Sequence, residues 1–530
     1  MIKSYCQKKH IYLIITLLFT GWFNSYAQIA NKETNVAFLR QNAMVLQEKI
    51  ELNRQKAFLI AKEKGWETLR VTKTGAIIAL QGIDDLGLPI YYITDNNSIA
   101  AATTNANKLY TGGGLGLSLS GSTLPNDKVA IWDGGAILNT HTEFAPARIK
   151  AKDNATTLSS HATHVAGTIM ASGLYAPAKG MSFGLPQLSA FDFNSDLSEM
   201  SANAATLLIS NHSYGSLAGW QYNTDVTPAR WEFYGAAGAN KDFRFGFYNS
   251  TTRDWDLICY NAPYYLPVKS AGNNRNENGP AVGEPYFRYN AAGVMVSAGN
   301  RPAGINSNNG YDILSLYSNA KNILTVGAIN PLPFGPTSTS SIQISSFSSW
   351  GPTDDGRIKP DLVGDGVNVT STTSTNTTAY ANLSGTSMSA PNVSGSLVLL
   401  QELYSQKNAG AFMRSATLKA LVLGTTTEAG AHPGPDYIYG WGLLNTEEAA
   451  KAILVRNAKS LINESSLSQG ASETINLIAS GNGALIATIC WTDPEATPVS
   501  SATALDNTAL RLINDLDISV KDAQNNVYRA

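Results

Sequence analysis

A chain of 530 residues is too long for one small domain; at about 150 residues per domain it holds three or four structural units and can bury a large core. Its 38 Lys and Arg against 40 Asp and Glu leave a formal net charge of -2, so no broad basic field draws it to nucleic acid or anionic lipid, and those function classes are set aside. Charged residues make up only 15%, hydrophobic ones 43%, and glycines number 45, a composition of loop-rich globular protein rather than of disorder.

At the N-terminus Lys3, Lys8 and Lys9 precede an apolar run over residues 11–23, and Ser25-Tyr26-Ala27 follows with small residues at signal-peptidase spacing. Residues 1–27 are therefore expected to be an export signal, cleaved after Ala27, and the protein secreted. The run is shorter than the roughly 20 apolar residues that span a bilayer, so no transmembrane anchor is expected. From residue 32 to 70 Lys, Glu, Gln and Arg cluster around Phe38, Met44, Leu46, Ile50 and Leu52 at helical spacing, predicting an amphipathic helix. Two strand-like runs follow, Ala76-Ile77-Ile78-Ala79-Leu80 and Pro89-Ile90-Tyr91-Tyr92-Ile93, which completes a small α/β unit. Residues 100–121 have the Ala, Thr, Asn, Gly and Ser content of a linker and offer a cleavage site.

Between residues 128 and 452 short apolar runs alternate with helix-like stretches. Val129-Ala130-Ile131-Trp132-Asp133, Leu207-Leu208-Ile209-Ser210-Asn211, Leu266-Pro267-Val268-Lys269-Ser270 and Ile323-Leu324-Thr325-Val326-Gly327 are examples. Continuous apolar strands of this kind predict an α/β fold, a parallel sheet with helices on both faces, whose site lies beyond the carboxyl ends of the strands. After residue 462 the runs at 473–478, 485–491 and 516–520 read as strands of an antiparallel sandwich. Only about four strands fit where such sandwiches take seven or eight, so the sandwich is expected to be incomplete and the natural chain to run past residue 530.

Six histidines narrow the search for chemistry. His161 and His164 share a helix face in Ser160-His161-Ala162-Thr163-His164-Val165-Ala166-Gly167-Thr168, but the zinc-protease pattern needs i and i+4 spacing and a Glu where Ala162 stands. In Leu383-Ser384-Gly385-Thr386-Ser387-Met388-Ser389-Ala390-Pro391, Pro391 suits the first turn of a helix, which puts Ser387 at a helix N-terminus whose amides can hold an oxyanion. Taken alone, Ser387 could equally be a helix cap and Asp133 a turn cap. Together, Asp133, His161 and Ser387 follow the chain order Asp, His, Ser.

These segments resemble the subtilase (subtilisin-like) family of serine endopeptidases. The resemblance extends through Phe347-Ser348-Ser349-Trp350-Gly351-Pro352, Gly356-Arg357-Ile358-Lys359-Pro360-Asp361 and Gly440-Trp441-Gly442-Leu443-Leu444-Asn445. It implies Asp133 as the orienting carboxylate, His161 as general base and then acid, Ser387 as nucleophile, and His164 as a packing residue. A side-chain amide completes the oxyanion hole in this family. Asn273 and Asn300, each ending a Ser-Ala-Gly-Asn run, compete for that place, and the strand before Asn273 favours it. Substrate is expected to lie extended along Ser213, Tyr214 and Gly215. Ala162, Asn392 and Gly364-Asp365 depart from the family pattern without removing a catalytic atom.

The resemblance divides the chain into a propeptide-like unit and linker over residues 28–105, a catalytic domain over 106–455 and a partial sandwich over 463–530. The expected partners are protein or peptide substrates and the chain's own propeptide as inhibitor, the enzyme acting as a monomer. The chemistry requires no cofactor or metal; Asp493, Asp515 and Asp517 in the tail are candidate ligands for structural calcium, against the plainer reading of solvated turn carboxylates. Cys259 and Cys490 could pair only if the fold brings them together. The rival reading is a catalytically silent subtilase scaffold serving as a surface binding protein.

Overall fold

The computed structural model describes residues 33–71, 77–94, 100–479, 481 and 483–529; the expected export signal lies outside them. The N-terminal unit begins with helix α1 (Val36–Lys64), whose first turn is capped by Asn35 accepting from the Phe38 amide and whose end is a left-handed Gly65. The expected face is only partly right. Leu39, Ala43, Leu46, Ala57 and Ala61 are buried, whereas Met44 and Leu52 stand in solvent. Alanines, which let a helix approach its neighbours closely, carry much of the contact that the larger residues were expected to make. Strands β1 (Leu69–Val71), β2 (Ile77–Ile83) and β3 (Pro89–Thr94) then form an antiparallel meander.

The centre of the molecule is a seven-stranded parallel sheet. Its strands are β4 (Val129–Asp133), β5 (Ile149–Ala151), β6 (Leu188–Asp192), β7 (Ile209–His212), β11 (Leu266–Ser270), β14 (Leu324–Ile329) and β15 (Leu362–Asp365), in the order β15-β14-β11-β7-β4-β6-β5. Alternation along β4 sends its side chains to opposite faces. Val129 and Ile131 join a core with helices α2 (Ser160–Met170), α5 (Thr386–Lys407), α6 (Ser415–Leu423) and α7 (Thr446–Leu454). Ala130 and Trp132 join the core on the other face, with α3 (Asp196–Asn203), α4 (Ser250–Asn261) and two leucines of α1. Helices on both faces of a buried parallel sheet are the architecture that the apolar runs predicted.

Strand β8 (Tyr214–Ser216) follows β7 but lies outside this sheet. It pairs antiparallel with β3, so that the N-terminal meander gains its fourth strand from the middle of the chain. Beyond it, β9 (Trp220–Asn223), β10 (Arg230–Phe233), β12 (Pro285–Tyr289) and β13 (Met295–Asn300) form a separate sheet, with Gly293 in the β12–β13 turn at φ 73°. A short pair, β16 (Val369–Thr372) and β17 (Tyr380–Leu383), packs beside α2.

Two expectations are corrected. Residues 100–121 are not an open linker: Leu109 and Leu119 are buried in the central core, and the Glu402 carboxylate on α5 accepts from the amides of Ser120, Gly121 and Thr123. Among the described residues of the tail, the runs at 473–478 and 485–491 form no ladder, and antiparallel pairing is limited to β18 (Ser519–Lys521) with β19 (Val527–Arg529). A strand needs a paired edge and a face to bury, and here Ile478 and Ile486 have neither. The intervening tail is tied to the body instead. Asp493 pairs with Lys321 at 2.5 Å and accepts from the Ile513 and Asn514 amides, which fills its carboxylate with protein donors, while Asp515 and Asp517 remain exposed. Cys259 and Cys490 are both free thiols.

Candidate active site

Asp133 closes β4, and parallel pairing sets it beside Asp192 at the end of β6. The Asp192 carboxylate accepts from the Gly135 amide at 2.9 Å, which turns the chain sharply away from the strand end. Helix α2 starts over that point because Ser159 caps it, its side chain accepting from the Ala162 amide. His161 thereby faces the carboxyl end of β4, with Nδ1 2.7 Å from Asp133 Oδ1 and both side chains almost wholly buried. Ala162 sits inside the helix, where its side chain is accommodated. Asp133 Oδ2 and His161 Nε2 are buried with no hydrogen-bond partner among the described residues, so the imidazole edge away from Asp133 is unspent.

Ser387 is the second residue of α5. Pro391 falls in the second turn rather than the first, and this has a specific local effect. A helix residue normally donates to the carbonyl four positions back, and proline has no N–H to give to Ser387. The Ser213 hydroxyl donates to the Ser387 carbonyl instead, at 2.5 Å. In return the Ser387 hydroxyl donates to the Ser213 carbonyl at 3.1 Å. The Ser387 side chain thus rests on the segment that leads into β8 and makes no hydrogen bond to His161 Nε2.

Asn273 lies just beyond β11, and its Oδ1 accepts from the Thr386 amide at 2.8 Å and the Thr386 hydroxyl at 2.9 Å. The residue before Ser387 therefore locks this amide beside the start of α5. Asn300 ends β13 in an exposed hairpin opposite Pro285, in a different sheet from the strands that carry Asp133 and lead to Asn273. The structure pairs Asp133 with His161, sets Asn273 against the residue before Ser387, and leaves Asn300 in a separate sheet.

His164 turns away from the cluster. Its Nε2 meets the Val369 and Ala381 carbonyls at 3.1 and 3.3 Å, and burial, with His161 nearby, holds its pKa down at about 3. A neutral, enclosed imidazole is a packing residue. Asn392 bonds the Ala100 carbonyl and the Thr104 hydroxyl, so this departure from the family pattern anchors the incoming chain.

Ser213, Tyr214 and Gly215 run along and into β8. Their edge is covered by β3, in the register Thr94 to Tyr214, Ile93 to Gly215 and Tyr92 to Ser216. Tyr92 is enclosed by three rings: Tyr214 stacked at 5.3 Å, and Phe193 and Tyr317 edge-on at 5.4 Å. Pattern reading found the strand around Tyr92 but not its partner, because a ladder between segments this far apart leaves no local mark. The same limit hid Glu199, on which the Trp132 indole donates at 3.0 Å. Burial, then the nearby Asp153, Asp196 and Asp192 carboxylates, push Glu199 up to about 8. Among the described residues no helix is long and apolar enough to cross a membrane.

Known proteins resemble parts of this chain. The model of the subtilase family matches residues 128–442. C5a peptidase of Streptococcus pyogenes is 45% identical over 93 residues, 18% of this chain and 8% of the peptidase. Subtilisin-like protease SBT3.7 of Arabidopsis thaliana is 31% identical over 157 residues, 27% of this chain and 20% of the plant protein. The chain thus spans only a small part of the length of either relative. Among solved structures, the CspB protease of Clostridium perfringens superposes with a TM-score of 0.47 at 16% identity, over 67% of this chain and 99% of that one.

Proposed function

The chain belongs to the subtilase family, and from that premise we propose that it is a serine endopeptidase with Asp133, His161 and Ser387 as its catalytic triad and Asn273 in the oxyanion hole. The carrying observation is the buried 2.7 Å contact from His161 Nδ1 to Asp133 Oδ1, with Ser387 at the mouth of α5 and Asn273 locked beside it. A serine hydroxyl is a weak nucleophile until a base removes its proton. In the proposed reaction the Ser387 hydroxyl leaves the Ser213 carbonyl and turns to His161 Nε2, an apo arrangement that tightens when substrate binds. Ser387 Oγ then attacks the scissile carbonyl carbon as its proton passes to Nε2. Asp133 keeps the other ring proton on Nδ1 and stabilises the imidazolium.

Negative charge gathers on the carbonyl oxygen, where the Ser387 amide and the Asn273 side-chain amide donate to it. The Ser387 amide is one of the first-turn donors that a helix cannot satisfy internally. Collapse breaks the C–N bond, and the amine takes the proton from His161. Water, deprotonated by the same imidazole, then attacks the acyl-enzyme and releases Ser387.

We infer further that residues 1–27 direct export and that the N-terminal unit is a propeptide inhibitor. Support for inhibition comes from β3, which pairs with the edge of β8 that substrate backbone would use and runs in the direction of Ser387. The silent-scaffold reading is disfavoured, since a scaffold has no need of a buried Asp–His pair beside a helix-mouth serine.

A fluorophosphonate probe tests the proposal. Labelling of folded, processed protein at Ser387, lost in Ser387→Ala, is expected; absence of labelling overturns it. The full-length Ser387→Ala chain is expected to keep its N-terminal unit attached, and normal processing of that variant would assign maturation to another protease.

A further inference from the structure

Lys269 follows the apolar Leu266-Pro267-Val268 of β11 and immediately precedes Ser270-Ala271-Gly272-Asn273. Its side chain is buried, with the residue only 1% exposed. All three of its hydrogen bonds go to uncharged oxygens: the Tyr214 carbonyl, the Ser270 carbonyl at 3.3 Å and the Ser270 hydroxyl at 3.2 Å. An amine buried this way is costly, and a methionine of similar length would fill the space without that cost. Burial pulls its pKa down to about 7, with Asp196 and Asp133 opposing the fall. Ammonium and neutral amine alike carry an N–H for the Tyr214 carbonyl, so the contact persists in both states.

What that contact holds follows from the topology. Strand β8 is not part of the seven-stranded sheet, and among the described residues its ladder partner is β3 of the N-terminal unit. On the opposite side, the hydrogen bond from Lys269 ties the backbone of β8 to β11. The phenol end of Tyr214 is held separately, donating to Asp196 at 2.8 Å and lying 3.0 Å from His212 Nδ1. Once β3 leaves, β8 must keep its height above the sheet without a ladder partner until substrate arrives. Asn273 follows Lys269 just beyond the end of β11, and Ser387 is bonded to Ser213 just before β8.

We propose that Lys269 is a positioning residue for peptide hydrolysis: through the Tyr214 carbonyl it fixes β8 where an extended substrate backbone can pair with it and deliver the scissile carbonyl to Ser387 and Asn273. This rests on the endopeptidase reading above. Lys269 touches neither substrate nor the reacting atoms, and it acts through β8.

The test compares wild type, Lys269→Met and Lys269→Gln as processed enzymes, with active sites counted by fluorophosphonate, on peptides of increasing length. For a peptide long enough to pair along β8, KM in Lys269→Met is expected to rise about 10-fold or more while kcat changes by less than about threefold, the pattern of lost substrate binding. The penalty is expected to shrink as the peptide is shortened towards a single acyl residue. Lys269→Gln, which keeps an N–H donor, is expected to recover part of the KM. The melting temperature of Lys269→Met is expected not to fall, because a buried amine has been removed. Equal KM for wild type and Lys269→Met at every length overturns the proposal. So does a uniform loss on long and short substrates with a lowered melting temperature, which marks a merely structural lysine. Should Lys269→Met not fold, the Lys269→Gln comparison across lengths decides alone. A wild-type enzyme that is neither labelled nor active on any peptide overturns the endopeptidase reading instead.

Discussion

Asp133 holds His161 through one short buried bond, and that bond defines what its removal does. In Asp133→Asn the amide can force the opposite ring tautomer, leaving Nε2 unable to accept the Ser387 proton. A fall in kcat of about 10⁴-fold with little change in KM is expected from steady-state kinetics. Glu199 gives a second prediction. Its folded pKa of about 8 lies above its ordinary value, so folding binds a proton that the unfolded chain releases. Its contribution to stability is complete below about pH 4.5 and is lost as pH rises towards 8. Urea melts across that range are expected to show wild type weakening with rising pH, and Glu199→Gln weakening less. At this scale the placement of Asp133 at a strand end and of His161 and Ser387 at helix starts was legible, because each sits in a distinctive run. Lys269 and Glu199 were visible as letters only, since their significance comes from burial that distant segments impose.

Helix α5 shows how an element can be shaped for a task at one end and for anchorage along its length. Pro391 withholds an N–H from Ser387, and Ser213 takes the vacant carbonyl. Pro391→Ala restores the missing donor and sets it in competition with Ser213. Stability is expected to change by less than about 1 kcal/mol, since the helix gains a bond and loses the proline restraint. The kcat is expected to fall several-fold as the Ser213 hydroxyl loosens its hold on the Ser387 carbonyl and the backbone of the nucleophile is less firmly placed. Further along, Glu402 holds three amides of the chain entering the core. Glu402→Ala strands these donors and is expected to cost about 3 kcal/mol in chemical denaturation.

Elements differed in legibility for a physical reason. The strands of the central sheet announced themselves because both faces are buried, which demands unbroken apolar runs. The N-terminal helix was recognised, but its buried side was misjudged where small residues make the contact. The tail runs carried strand composition without partners to pair with, and composition alone does not make a sheet.

At the scale of the whole molecule, the N-terminal unit is held by more than its pairing strand. Asp84 forms a largely buried ion pair with Arg244 at 3.1 Å, and Tyr92 fills the recess walled by Phe193, Tyr214 and Tyr317. Tyr92→Ala removes most of the buried ring, and such truncations cost about 3–5 kcal/mol in a folded core. The variant unit is expected to inhibit the processed enzyme at least about 100-fold more weakly than the natural one, by the same energy scale. Titration of peptidase activity with each purified unit measures the difference. The pairing of β3 with β8 could not be read from the sequence, since it joins segments separated by the first half of the central sheet.

That shared four-stranded sheet gives release a direction. While the chain is intact, β3 is an interior strand with both edges satisfied. Once freed, it becomes the bare rim of a three-stranded fragment, with unpaired amides and carbonyls and an aromatic ring stripped of its pocket. On the proposed propeptide reading, a fragment in that state would be open to the very protease it had covered, and digestion would remove it from the binding equilibrium. The fold would then turn a reversible contact into a ratchet, with departure of the covering segment followed by its destruction.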